Sequence, residues 1–502
     1  MSRQGKRGCR GWWLAVVLGV WGCGGPWVGE TPPGDEAEVV PERSVQSEEV
    51  GTESTTHCQP AFRVEQSPVL SPYPLPEVLT PLRGRVHFLA PTTEGGPLAL
   101  WRSNATGSGT YPIFSNVTGP LLKAGELLYF VQNGSLWASD GTTAGTRRVR
   151  SLHGGRLTGV SQDVQGRLFF VVVHDEDFSR ELWVSDGTHD GTRSVRSFSP
   201  EPYTLSQMIE FRDRLFFIAA DAASGMELWM SDGTHGGTRL FKDIAPGSAS
   251  SYPSQLIVVG SALYFVANDQ VHGEELWTAR SLNPARTSLV KDFVQGSASS
   301  YSRPVAGLHG ELYFTLHPAD QFSDLELWRT DGSPCGTVLV KRFSSPNPVY
   351  TEFWSWPGLA VDNRVYVIIQ PLSTMGTGAG NAQLWSTDGT SSGTRYLTEP
   401  LTYGDEGPIP ELFAVEHTLL FAALDNVPYG DPGQRGRELW RSQGAASSTR
   451  LLQDLLPGPD WGDPSSFVSA GRYVYFLAQD ASRTYRLWAL PVESVRCSRP
   501  LG

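Results

Sequence analysis

The chain has 502 residues, 18% of them charged, and a formal charge of −12. An acidic body of this kind has no electrostatic footprint for nucleic acid, and an apolar share of 39% is too large for a chain disordered throughout. Its 54 glycines, 36 prolines and 16 tryptophans point to an all-β protein rich in turns.

Residues 1–23 read as an export signal. Arg3, Lys6, Arg7 and Arg10 precede a short apolar run over residues 12–20, too short for a permanent membrane helix. The run ends in Val20-Trp21-Gly22-Cys23, which resembles a bacterial lipobox. That resemblance implies lipidation of Cys23 and anchoring at the outer membrane or cell surface; the alternative is a secretory signal with an incidental cysteine. Residues 24–57 carry eight acids against Arg43 alone and no apolar period, so they read as a disordered acidic tether. Without the four basic residues of the leader, the charge falls near −16. Such a chain is repelled by anionic lipid, so its contact with a membrane is expected through the lipid alone.

Cys58 stands just before the repeats described next and Cys497 just after them. In an oxidising compartment a bridge between them would tie the two ends together, worth roughly 4–5 kcal/mol in the chain-entropy model. Cys335 is then left over as a free thiol.

Residues 58–498 are organised by one phrase, Glu-Leu-Trp-x-Ser-Asp-Gly-Thr-x-x-Gly-Thr, clearest over residues 181–192 and 227–238. Leu-Trp recurs at Trp101, Trp137, Trp183, Trp229, Trp277, Trp328, Trp385, Trp440 and Trp488, with gaps of 36, 46, 46, 48, 51, 57, 55 and 48 residues. A period of this size marks a repeat architecture. One unit reads as four short strands over residues 207–211, 214–219, 227–231 and 238–244, aromatic and β-branched with turn residues between. The second strand holds consecutive apolar residues, such as Leu215-Phe216-Phe217, so both sheet faces are covered. Nine such units describe a β-propeller of four-stranded blades, eight or nine in one ring.

Asp-Gly between two strands is a hairpin signal, because glycine takes positive φ freely and aspartate bonds the backbone two residues on. Asp140, Asp186, Asp232 and Asp388 are therefore turn residues, with calcium binding as their alternative role. Trp137, Trp183, Trp229 and Trp385 read as apolar wedges between blades, with sugar stacking as the alternative. Glu-Leu-Trp-x-x-Asp-Gly-Thr resembles the ELWxxDGT repeat of secreted proteins and lipoproteins, notably myxobacterial ones. The match is good over residues 136–146, 181–192 and 227–238, and lacks only its Glu over 384–394. The Trp277 unit has Arg280-Ser281-Leu282 where Asp-Gly-Thr belongs, and Trp101 is followed by Asn104-Ala105-Thr106. The resemblance implies a propeller and brings no established activity. The turn also resembles the Asp-box of sialidase-type propellers, a structural hairpin.

Antiparallel connectivity places the Asp-Gly-Thr turns at one edge of the blades and the variable loops at the other. Function concentrates on variable loops held by a rigid scaffold. The candidate binding face is this second edge over the sixth to eighth units: Phe353, Trp354 and Trp356 as an exposed aromatic platform, with Asp425 nearby. The alternative for the aromatics is the start of a buried strand. Asp221, Asp269, Asp320 and Asp480, with Asp243, Asp292 and Asp454, should share that edge, either as a cation site or as strand-end caps. The ten histidines show no metal-site spacing, and no Gly-x-Ser-x-Gly elbow or phosphate loop is present. The sequence thus reads as a monomeric envelope scaffold without a cofactor, binding an extracellular protein or polysaccharide. The rivals are a carbohydrate-active hydrolase or lyase with a central-channel site, and a purely structural surface protein.

Overall fold

The computed structural model describes residues 58–70, 79–198, 204–318, 322–344, 351–373, 381–399, 401, 411–425, 435–497 and 500–501. All fall in the second of two units, residues 57–502. Cys23, the tether, Asp320 and the loop at residues 374–380 lie outside the described residues.

Strands follow the repeat. Around Trp229 they run Ser206–Phe211, Arg214–Asp221, Gly225–Ser231 and Arg239–Lys242, paired in sequence order and antiparallel. The fourth stops two residues before the sequence suggests, because Ile244 is drawn into a loop. The same four-stranded pattern recurs around Trp183, Trp277, Trp328, Trp385 and Trp440. Second strands are buried on both faces, as in Leu215, Phe216 and Phe217 at 0% exposure. No α-helix occurs among the described residues, and none of their helices is long and apolar enough to cross a membrane.

Two units depart from the pattern, each for a legible reason. The strand Tyr111–Ala124 pairs through its first half with Leu98–Ser103 and through its second with Leu127–Gln132. It ends the Trp101 unit and begins the Trp137 unit without a connecting loop, giving a seven-stranded sheet. That is why these two tryptophans are 36 residues apart rather than about ten more. The last unit draws its outermost strand from the other end of the chain: Phe62–Arg63 pairs with Tyr485–Pro491. Beside it Cys58 and Cys497 form a disulfide.

Each tryptophan packs away from its own sheet. Trp229 sits in a cluster with Phe169, Val171, Leu182, Val195 and Phe198 of the preceding unit. Trp183, Trp277 and Trp328 do the same. Trp101 lies with Tyr475, Leu477, Leu487 and Ala489, so the first unit packs against the last. The first strands touch in series, and Thr80–Leu82 touches Ser465–Ala470. A cation from the preceding fourth strand, or just beyond its end, covers several of the indoles: Arg196 lies 4.6 Å from Trp229, Lys291 4.7 Å from Trp328 and Lys341 5.5 Å from Trp385. A large aromatic in such a seam contributes about 3–5 kcal/mol against truncation to alanine.

Candidate functional site

The Asp-Gly-Thr edge spends its polar groups on itself. In the Trp229 unit, the Thr234 N–H and hydroxyl donate to Asp232 Oδ1 at 2.8 and 2.7 Å. Gly237 N–H donates to Thr234 Oγ1, Thr238 Oγ1 donates to the Thr234 carbonyl, and Gly233 N–H donates to Ser231 Oγ. Ser231 and Thr238 join hydroxyls at 2.7 Å. The Ser-Asp-Gly-Thr-x-x-Gly-Thr part of the phrase is thereby explained locally. Gly233 has φ +87°, and a Cβ on Gly237 would overlap the Asp232 carboxylate. Asp140, Asp186 and Asp388 make the same bonds to Thr142, Thr188 and Thr390. Those threonine hydroxyls hold the three carboxyls below the usual range. The Trp101 unit builds this turn too, with Asn104 accepting from Thr106 and Ala105 forced to φ +71°.

The Glu of the phrase has a role that local reading did not find. Glu227 is fully buried and faces the loop that follows its own fourth strand. It accepts from Ile244 N, Ala245 N and Ser251 N, each at 3.1 Å, and from Ser251 Oγ at 2.6 Å. Glu275 accepts from Val294 N and Ser300 Oγ, and Glu438 from Leu455 N and Gly462 N. Burial pushes these carboxyls up to about 7, 7 and 8, against the pull of their donors. Glu181 and Glu326 turn the other way and accept from the indoles of Trp183 and Trp328 at 2.7 and 2.9 Å, as Gln383 does from Trp385. The signal was present: a Glu two residues before Trp, followed 24 or 25 residues later by Ser251 or Ser300.

At three units the second edge thus carries a loop pinned from below. Its aspartates mostly cap those loops. Asp221 Oδ1 accepts from Ala223 N and Ser224 N, and Asp269 Oδ1 from Val271 N and His272 N. Asp480 accepts from Ser482 N and lies 3.3 Å from both Arg63 and Arg486. Asp243 accepts from Gly247 N. Asp425 is buried, accepts from Arg435 N at 2.9 Å, and shares the Arg435 guanidinium with Asp454. Among the described residues no three His, Cys, Asp or Glu side chains converge as a metal site would require.

The aromatic segment takes the strand alternative rather than the exposed platform. Phe353, Trp354 and Trp356 lie within the strand Thr351–Val361, paired with Pro371, Gln370 and Ile368, not in a connecting loop. All three are half-buried. Phe353 packs on the cluster of Tyr313 and Val365, Trp356 on that of Tyr366 and Leu384, and Arg303 covers Trp354 at 4.9 Å.

No family model and no curated protein matches the chain. Among solved structures it is similar, at 11% identity, to a prolyl endopeptidase over 72% of this chain and 55% of that one, with a TM-score of 0.37. It is similar to an oligogalacturonate lyase in complex with manganese over 87% and 96%, also at 11% identity, TM-score 0.36. The β-propeller domain of the Trilobed protease from Pyrococcus furiosus matches at 11% identity over 65% and 94%, TM-score 0.34. The chain spans about half the length of the endopeptidase. These likenesses are distant and carry nothing about activity.

Proposed function

We propose that this chain is an exported ELWxxDGT-type lipoprotein whose nine units close into one propeller, and that it works as a binding scaffold for an extracellular polysaccharide. The serial contacts of the first strands, the packing of Trp101 on the last unit and the Phe62–Arg63 pairing support a ring. The binding role rests on one observation. The Asp-Gly-Thr edge satisfies its own polar groups, whereas the opposite edge presents loops fixed by buried glutamates. A rigid base under variable loops is the arrangement on which recognition is built.

The test has two arms. Cys23→Ala should move the protein from the membrane fraction to the soluble fraction, and unchanged fractionation would remove the lipid anchor. The exported domain should bind at least one envelope polysaccharide on glycan arrays. Binding to none would sink the scaffold reading. Turnover of a bound glycan would replace it with the hydrolase or lyase.

A further inference from the structure

The loops held by Glu227 and Glu275 share a sequence, Gly-Ser-Ala-Ser-Ser-Tyr, at residues 247–252 and 296–301. They are also built alike. Ser251 N–H donates to the Met226 carbonyl of its own unit, and its carbonyl accepts from Asn268 of the next. Ser300 N–H donates to the Glu274 carbonyl, and its carbonyl accepts from His317. The hydroxyls of Ser250 and Ser299 accept from Met226 N and Glu274 N, each at 3.0 Å. With the preceding residue pinned on both sides, the next one must turn outward. Tyr252 and Tyr301 do so in the left-handed region, at φ +47° and +51°.

Glycine would take that conformation without steric cost. A tyrosine held there twice, at matching places, is strain of the kind that collects at functional sites. Nor is the ring hidden. Tyr252 is 63% exposed and Tyr301 38%. Tyr301 stands 5.0 Å from the Phe322 ring, and Val271, between the two tyrosines in sequence, is 61% exposed. The neighbouring polar groups retain open valences. His272 Nδ1 is held by Asp269 at 2.7 Å, leaving Nε2, and Gln270 Nε2 donates to the Ser250 carbonyl, leaving its oxygen.

We propose that Tyr252 and Tyr301 stack on successive sugar rings of a neutral polysaccharide, with His272 and Gln270 hydrogen-bonding its hydroxyls. An aromatic ring offers its face to the C–H side of a pyranose, and a tyrosine does so with little side-chain entropy to lose. Asp221, Asp243, Asp269 and Asp292 in the surrounding loops select against a uronic or sulfated polymer. The buried Glu227 and Glu275 are positioning residues for the two loops. This inference rests on the polysaccharide reading above and names its site and ligand class.

Affinity electrophoresis of the full chain, in gels containing β-glucan, mannan, xylan or polygalacturonate, separates the two. Wild-type protein should be retarded by a neutral polymer and not by polygalacturonate. The Tyr252→Ala/Tyr301→Ala double variant should lose about tenfold or more in affinity, a loss of the size aromatic stacking supplies. Tyr252→Phe/Tyr301→Phe should bind nearly as wild type, because stacking does not use the hydroxyl. Tyr252 is largely exposed and Tyr301 touches only Phe322, so the melting temperature should fall slightly at most. Equal retardation of wild type and the alanine variant overturns this site and leaves the polysaccharide reading standing. Retardation by none of the polymers overturns both. Capture of one envelope protein, lost in the alanine variant without any glycan binding, reassigns the platform to a protein and overturns the proposal.

Discussion

The self-contained turn makes a sharp prediction at Gly237. A Cβ there would overlap Asp232 Oδ1, Cγ and Oδ2, so Gly237→Ala must push the carboxylate out of the turn. Thr234 then loses both bonds to Oδ1, now 2.8 and 2.7 Å. A hydrogen bond to a charged acceptor contributes about 1.5–3 kcal/mol, and this one is partly solvated, so a cost of about 2 kcal/mol is expected. Amide exchange reads the loss locally: about 2 kcal/mol corresponds to roughly 30-fold faster exchange at Thr234. Asp232→Ala should cost about the same. The double variant should cost no more than either single one, because without the carboxylate the new methyl has room. Gly236→Ala is the control, since nothing lies within 4 Å of a Cβ there, and it should be silent. Additivity of the two substitutions within about 0.5 kcal/mol would refute the reasoning.

Ala105→Gly should stabilise the Trp101 unit by up to about 1 kcal/mol, because Ala105 is held at φ +71°; a lower urea midpoint would contradict this. His87 is buried where other units carry Tyr129 or Phe169, and burial lowers its pKa to about 4. The unfolded chain then binds the extra proton between about 6.5 and 4, so the stability that neutral His87 contributes is present above pH 6.5 and lost as pH falls through 4. His87→Phe should remove up to about 3 kcal/mol of that acid sensitivity, read from melting curves between pH 7 and 4. Glu438 has the opposite sign. With its folded pKa raised to about 8, its contribution is present below about pH 4.5 and lost as pH rises through 8. Glu438→Gln should therefore gain on wild type between pH 5 and 9, and a pH-independent difference would show that the carboxyl does not titrate in this window.

The sequence by itself determined everything whose partners lie within a few residues. The strand pattern around Trp229 was legible from its aromatic runs, and the turn from Ser231 to Thr238 closes its hydrogen bonds inside eight residues. Even the Asn104-Ala105-Thr106 variant, which looks like a lost repeat, folds the same way because Asn104 supplies the same acceptor. What stayed hidden depends on partners far along the chain. Leu-Trp marks a wedge between blades but not which neighbour it packs on, and its contacts belong to the preceding sheet. A Glu beside it reads as an ordinary strand residue until Ser251, 24 residues later, folds back onto it. Phe353-Trp354-Ser355-Trp356 read equally as an exposed platform or as the start of a buried strand, because spacing cannot tell a longer loop from a longer strand, and the structure shows the strand. Only the tertiary structure decided these, because burial and register are set by which sheets meet, and the chain's local pattern carries no record of its neighbours across a seam.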